Sequence, residues 1–313
     1  MTRDRLIADV REILGKTGFY LSERHGERGL CFDFVARRDD LLLVVKVLQN
    51  VDALTKETAD ELRVIARTLR AGPVVVGERS GGGSLEEGIV YSRFGVPIVS
   101  RRTFSDFFEE GVPPFIYSAP GGIYVKLDTD LLRRARGEEQ FSLGRLAEIA
   151  GVSRRTIQMY LDGMSASIEV AKRLEEFLEE PVVLPADPFS YVEEPPLPTP
   201  PVSTLETLER ELFDRLKRLG YDVLPTLRSP FDAFTQHADT TLLTGVERAD
   251  ASIDRKAEVM SNIGRVVERD AVMFVEKRTI RMSIRGLPVI AREELKKARN
   301  RDAVEDLIAE RKG

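Results

Sequence analysis

Apolar residues recur at three- and four-residue spacing in Leu6, Ile7, Val10, Ile13 and Leu14, which predicts an amphipathic helix over 3–15 that Gly18 closes. The period then shortens. Phe19-Tyr20-Leu21 begins a strand, CFDFVARRDD alternates as a half-buried strand does, and LLLVVKVL is the continuous apolar run of a strand buried on both faces. A second amphipathic helix follows at about 55–70 (Leu62, Ile65, Ala66, Leu69), then a strand at 73–77, and GIVYSRFGVPIVS supplies a further short strand pair. The predicted order over 1–118 is α-β-β-β-α-β with a β extension, a mixed α/β domain.

The same pattern returns near the other end of the chain. LETLERELFDRLKRL (205–219) is an amphipathic helix, and Gly220-Tyr221 answers Gly18-Phe19. SPFDAFTQHADTTLLTGV answers LCFDFVARRDDLLLVVKV, so that Phe231-Asp232 matches Phe32-Asp33, with both phenylalanines expected in the sheet core. A helix around 253–268, the strand 271–275 and GLPVIAR (286–292) complete the second copy, the last answering GVPIVSR at 95–101. Two connectors lie between the copies. Residues 113–128 hold two β-prone runs around Pro120-Gly121-Gly122, read as a hairpin. The stretch from Pro181 to Pro201 holds eight of the sixteen prolines and is read as an extended, semi-rigid linker.

Residues 141–163, FSLGRLAEIAGVSRRTIQMYLDG, carry a different pattern. Ser142 can cap a short helix whose Leu143, Leu146, Ala147 and Ala150 fall on one face. Gly151 ends it in a turn that a residue without Cβ reaches at no steric cost, and Val152 is expected to drop into the core beneath. Ser153 caps a second helix in which Ile157, Tyr160 and Leu161 point inward, leaving Arg154, Arg155, Thr156, Gln158 and Met159 on its N-terminal and outer side. A leading helix at 128–139 and a closing one at 167–180, with Ile168, Ala171, Leu174 and Leu178 at helical spacing, complete a four-helix unit.

With 313 residues the chain exceeds one ordinary domain, and 42% hydrophobic with 32% charged residues is a globular composition. No apolar run approaches the ~20 residues of a membrane span, and MTRDRLIADVREIL is too charged for a signal peptide, so a cytoplasmic protein with no membrane partner is expected. One cysteine, Cys31, excludes intrachain disulfides and cysteine-based zinc sites, and His25 and His237 stand alone; neither a metal nor a cofactor is expected. The net charge of −5 excludes coating of nucleic acid by bulk electrostatics. Any DNA contact must be a patch, for which Arg133, Arg134, Arg136, Arg145, Arg154 and Arg155 are available, with the acidic end Glu175-Glu176 and Glu179-Glu180 facing away. There is no GxxxxGK[ST], GxSxG, HExxH or CxxC, and the triple glycine 81–83 is read as a mobile surface loop.

On Ala147, Gly151, Val152-Ser153, Ile157 and Tyr160-x-x-Gly163, the helical unit resembles the lambda-repressor/Cro-like helix-turn-helix domain. The resemblance implies that the second helix, 153–162, enters the major groove of double-stranded DNA. Ser142, Arg145, Ser153, Arg154, Arg155, Thr156 and Gln158 are then the candidate DNA-binding residues. Arg154 and Arg155 lie nearest the bases and Gln158 one turn on, where Arg can pair with guanine and Gln with adenine; Ser142 and Arg145 are placed for phosphate.

The α-β-β-β-α-β order, with Asp33 on one strand and Lys46 on the next, looks like the PD-(D/E)xK restriction-endonuclease fold. That family holds Mg²⁺ with an Asp and a carboxylate two residues before the Lys. Here Val44 stands at the second position, an apolar residue that cannot ligate a hard cation, and Lys46 is read as reaching solvent from the end of its strand. In the second copy Leu243 and Gly245 take the places of Val44 and Lys46, so neither copy is expected to be catalytic or to bind metal. The phrases VYSRFGVPIVS, IYSAPGGIYVKLD and GVSRRTI make most of the chain similar to the archaeal helix-turn-helix transcriptional regulators.

The expected fold class is α/β plus all-α: degenerate nuclease-like domains at 1–118 and 204–313 flank a lambda-repressor-like domain at 119–180, with a Pro-rich linker at 181–203. The expected function is a sequence-specific DNA-binding transcriptional regulator, not an enzyme, working as a homodimer held by the α/β domains. A Mg²⁺-dependent nuclease or DNA-processing enzyme targeted by the helix-turn-helix is the alternative, and an interaction protein whose helical unit contacts another protein is a third. The sequence names no small-molecule effector.

Overall fold

The computed structural model describes residues 2–24, 29–119, 121–137, 141–193, 205–238, 240–248, 252–277 and 281–312; His25, Pro120, Glu138-Glu139 and 194–204 lie outside the described residues. Its contacts gather into two compact units: Met1–Thr17 with Val47–Leu54 and Val74–Phe189, and Gly18–Lys46 with Thr55–Pro73 and Ser190–Gly313. No described helix is long and apolar enough to cross a membrane.

The first α/β copy follows its pattern closely. Helix Arg3–Lys16 buries the five apolar residues of its stripe, and strand Leu41–Asn50 buries Leu42 through Val47, as a run packed on both faces requires. That strand pairs antiparallel with Phe34–Arg38, Phe34 opposite Val45. Helix Lys56–Leu69 and strands Gly72–Ser80, Ile89–Arg93 and Val96–Ser100 complete the copy. The pattern missed helix Arg101–Glu109, which Ser100 caps and which buries Phe104 and Phe108. The triple-glycine turn is fastened rather than loose: Gly83–Ser84 pairs back on Arg79–Ser80, and the Asp52 carboxylate accepts the Gly81 N–H at 2.5 Å.

The second copy repeats this topology. Its strands run Asp222–Pro225, Ala233–His237, Thr240–Glu247, Ala271–Val275, Leu287–Ala291, Ser283–Ile284, the order in which Tyr20–Leu21, Phe34–Arg38, Leu41–Asn50, Gly72–Ser80, Val96–Ser100 and Ile89–Arg93 lie in the first. Helices Thr207–Arg218 and Ser252–Val267 answer Arg3–Lys16 and Lys56–Leu69; Arg292–Lys297 and Arg301–Arg311 follow. Backbone strain repeats as well. Left-handed residues other than glycine recur in pairs at the same turns: Asp39 and Ala238 (φ 51° and 48°), Arg70 and Glu268 (54° and 53°), Phe94 and Arg285 (both 53°). Side chains rarely adopt this conformation, so its threefold recurrence argues for one ancestral backbone.

Within the unit that holds 18–46, 55–73 and 190–313, the two copies grip each other reciprocally. Glu61, on helix Lys56–Leu69, accepts the backbone N–H groups of Leu227 and Arg228, just after strand Asp222–Pro225 (2.9 and 2.5 Å). Asn262, on helix Ser252–Val267, accepts the N–H of Glu23, just after strand Tyr20–Leu21 (2.5 Å). The Cys31 N–H donates to the Arg228 carbonyl (2.7 Å), and Arg37 donates to the carbonyls of Val266 and Val267 (2.8 and 3.1 Å).

The other unit contains the helical bundle, with helices Thr129–Gly137, Leu143–Ala150, Arg154–Leu161 and Ile168–Leu178 around Leu132, Leu146, Ile157, Tyr160, Leu161 and Leu174. The expected hairpin is present as Ile116–Ala119 against Gly122–Leu127, and it does more than lead into the bundle. Ile116–Ala119 lies parallel to Ile89–Arg93, while Gly122–Leu127 also pairs with Ala166–Ser167 and Val183–Leu184, the segments on either side of the closing helix. The described part of the Pro-rich stretch is likewise docked, since Phe189 is buried 4.5–5.6 Å from the ring centres of Phe104, Phe107 and Phe108.

Candidate nucleic-acid interface

The helix-turn-helix is built by three serine caps and one glycine. Ser142 Oγ accepts the Arg145 N–H (3.1 Å), Ser153 Oγ the Thr156 N–H (3.0 Å) and Ser167 Oγ the Val170 N–H (3.4 Å), so each helix starts where its hydroxyl satisfies an amide with no helical partner. Gly151 ends the first helix at φ 67°, ψ 35° with its N–H on the carbonyls of Ala147 and Glu148, and the Val152 N–H closes the turn on Ala147 (3.0 Å). Val152 is half-buried against the bundle core.

Two arginines lock this geometry from a distance. Arg173, in the closing helix, donates to the Ala150 carbonyl (2.8 Å), its guanidinium packed where a side chain on residue 151 would begin. Arg133, in the leading helix, donates to the Leu161 carbonyl (2.8 Å) and pairs with Asp130 (3.3 Å), so it fixes the far end of the second helix. Both sit at helix C-termini, where a cation is favourable. Arg173 left no sign in the local pattern, because its partner lies 23 residues away.

The candidate contact residues divide by what already holds them. Arg154 and Arg155 are exposed at the first turn of Arg154–Leu161, and neither has a carboxylate partner among the described residues. The Arg154 guanidinium lies across Gly144, where a Cβ would stand 3.1 Å from Nη2, which joins the first turns of the two motif helices. Ser153 and Thr156 share a hydroxyl contact (2.9 Å) and Gln158 donates to Asp162 (3.2 Å), bonds on the helix itself. Ser142 and Arg145 are exposed on the preceding helix; Arg145 pairs with Glu148 (3.1 Å) and lies 5.7 Å over the Phe177 ring. Ile157, Tyr160 and Leu161 fill the core on the opposite face, and burial raises the Tyr160 hydroxyl above its usual pKa.

The nuclease-like corners do not fit a divalent cation. In the first copy Val44 is fully buried, and Lys46 is itself buried, not solvent-seeking: its ammonium donates to the Leu30 carbonyl (2.6 Å) and stands 3.9 Å from Asp33. In the second copy Met260 and Met273 fill the space of any side chain on Gly245. A lysine is nonetheless present, supplied by the helix: Lys256 Nζ meets Asp232 (2.7 Å), Glu247 (3.6 Å) and the Val246 carbonyl (2.9 Å). Burial raises the Asp232 carboxyl, and Lys256 opposes that shift. An ammonium thus stands within 4 Å of the aspartate in each copy, and no three His, Cys, Asp or Glu side chains converge as a ligand set among the described residues.

A family model described as PD-(D/E)XK superfamily domain matches residues 3–114, and one described as Helix-turn-helix matches residues 132–184. Along its whole length the chain is similar to archaeal proteins that bear the name "Putative HTH-type transcriptional regulatory protein". It is 39% identical to that of Natronomonas pharaonis over 99% of each chain, and 40% identical to that of Halorubrum lacusprofundi over 99% of this chain and 98% of the other. The Archaeoglobus fulgidus relative is 35% identical over 93% of this chain and 92% of its own. No solved structure matches the chain.

Proposed function

The chain belongs to the family of archaeal HTH-type transcriptional regulatory proteins, and from that membership we propose that it regulates transcription by reading a specific double-stranded DNA sequence with helix Arg154–Leu161. One observation carries the reading: two exposed arginines, without carboxylate partners among the described residues, begin a helix whose other face is locked into the bundle. Arg155, Arg154 and Gln158 meet base edges, Thr156 and Ser153 flank them, and Ser142 and Arg145 meet phosphates on the preceding turn. The helical unit at 119–180 is the reader, the α/β domains at 1–118 and 204–313 are its frame, and the protein acts in the cytoplasm.

In this reading neither α/β domain cleaves DNA, because Val44 and Leu243 stand where the nuclease family has its second carboxylate and Lys256 already pairs with Asp232. The protein works as a homodimer, which sets two reading helices about one DNA turn apart, ~34 Å. The faces through which the copies grip each other are used inside the chain, so the subunit contact falls on other α/β surface. Selection of bound duplexes from a random pool by the full chain tests the reading. Enrichment of one motif with two half-sites is the expected result; recovery of unselected sequence overturns it.

A further inference from the structure

A cleft of about 300 Å³ opens at the end of helix Ser252–Val267, beside the starts of the parallel strands Ala271–Val275 and Leu287–Ala291. The buried Leu287, Pro288 and Ile308 give part of its lining an apolar character. Most charges on its rim are matched: Asp270 by Lys312 (2.6 Å), Glu268 by Arg37 (3.2 Å) and Arg285 by Glu258. Among the described residues Arg265 and Arg269 have no carboxylate partner: Arg265 reaches Ser261 Oγ at 3.5 Å, and Arg269 the Glu268 carbonyl at 3.0 Å.

The backbone is shaped to bring the second of these arginines back over the helix end. Glu268 turns left-handed, and the Arg269 N–H donates to the Gly264 carbonyl (3.0 Å). A Cβ on residue 264 would stand 2.8 Å from the Arg269 carbonyl oxygen, so the turn closes only over glycine. The cleft lies at the opposite end of the sheet from Asp232, whose carboxylate sits by Val246 near the end of Thr240–Glu247, and so is separate from the nuclease-like corner.

We propose that this cleft is a binding site for a small organic anion, a carboxylate or phosphate monoester on an apolar body, with its head between Arg265 and Arg269 and its body over Leu287, Pro288 and Ile308. Guanidinium forks match both head groups in two-point geometry, and the cavity has the size of a small-ligand pocket. The apolar part of the lining distinguishes the site from a track for DNA phosphates, which calls for charge alone. Arg37 of the first copy holds the same helix end through Val266 and Val267, so the ligand would touch the place where the two copies meet.

Titration calorimetry on the full chain tests this with phenyl phosphate and benzoate as probes, inorganic phosphate as a head alone and benzyl alcohol as a body alone. Saturable binding of either aromatic anion is expected, weaker for inorganic phosphate and absent for benzyl alcohol. The double variant R265Q/R269Q should lose about tenfold or more in affinity while its circular dichroism is unchanged. Binding of neither aromatic anion at millimolar concentration, or equal binding by the double variant, overturns the site. So does a loss of affinity for random duplex with a shallower salt dependence in that variant, which would make the two arginines DNA-backbone contacts.

Discussion

Arg145 pairs with Glu148 on an exposed helix face, where an ion pair contributes little and yields readily to a phosphate. Arg145→Ala is therefore expected to weaken binding to all duplexes alike and to lower the slope of log affinity against log salt by about one. A loss confined to one sequence would make Arg145 a base reader instead. Glu61 is the opposite case, a buried carboxylate whose burial raises its pKa against two backbone N–H bonds and the Arg228 guanidinium 3.8 Å away. A carboxyl raised on folding carries no penalty below its ordinary range, and its penalty grows as pH climbs through the raised value, so acidification across that window favours the fold. Glu61→Gln keeps an acceptor for Leu227 and Arg228 without the charge, and should raise the Tm at about pH 7 while leaving it little changed at about pH 4.5. Glu61→Ala orphans both N–H groups and should cost about 1–3 kcal/mol at either pH. Thermal melts of the three proteins check this; a Gln variant as unstable as the Ala variant at neutral pH contradicts it.

At the scale of the element, the turn of the helix-turn-helix rests on Gly151. Its left-handed backbone disfavours any Cβ, and the Arg173 guanidinium fills the space where one would go, so Gly151→Ala should cost about 1–2 kcal/mol or more. Gly137→Ala, at a helix end with open space around it, should be neutral or stabilising, and denaturant unfolding of both variants compares them. The turn was legible because caps and left-handed glycines act within four residues. So were the strands: LLLVVKVL can be nothing but buried, and the repeated Phe-Asp marks one strand start in each copy. Helix Arg101–Glu109 was missed although Ser100 and the spacing of Phe104 and Phe108 mark it, because three aromatics within five residues blur the helical period. What joins elements was not legible. Arg133 on Leu161, Lys256 on Asp232 and Glu61 on Arg228 act across gaps that no periodicity spans, and Lys46 read as surface-seeking because the Leu30 carbonyl that buries it comes from another segment.

For the whole molecule, duplication of the α/β fold has given a chain whose copies bind each other, while in the proposed reading the helical unit is paired across two subunits. Sedimentation of the full chain at micromolar concentration should show a dimer, unchanged in Glu61→Ala where that variant remains folded; a monomer contradicts the symmetric arrangement. Supercoiled plasmid should stay intact with Mg²⁺ or Mn²⁺, and cleavage that disappears in Asp33→Ala or Asp232→Ala would return the α/β domains to catalysis. The central claim, that helix Arg154–Leu161 reads sequence, is tested most directly by affinities at one fixed salt concentration for a selected site and its scrambled form, in the native chain and in Arg154→Ala and Arg155→Ala. The native chain should prefer its site by a factor on the order of 10³ or more, and each variant should lose about 1–3 kcal/mol on that site with little change on the scrambled duplex. Equal loss on both duplexes, or no native preference, would contradict it.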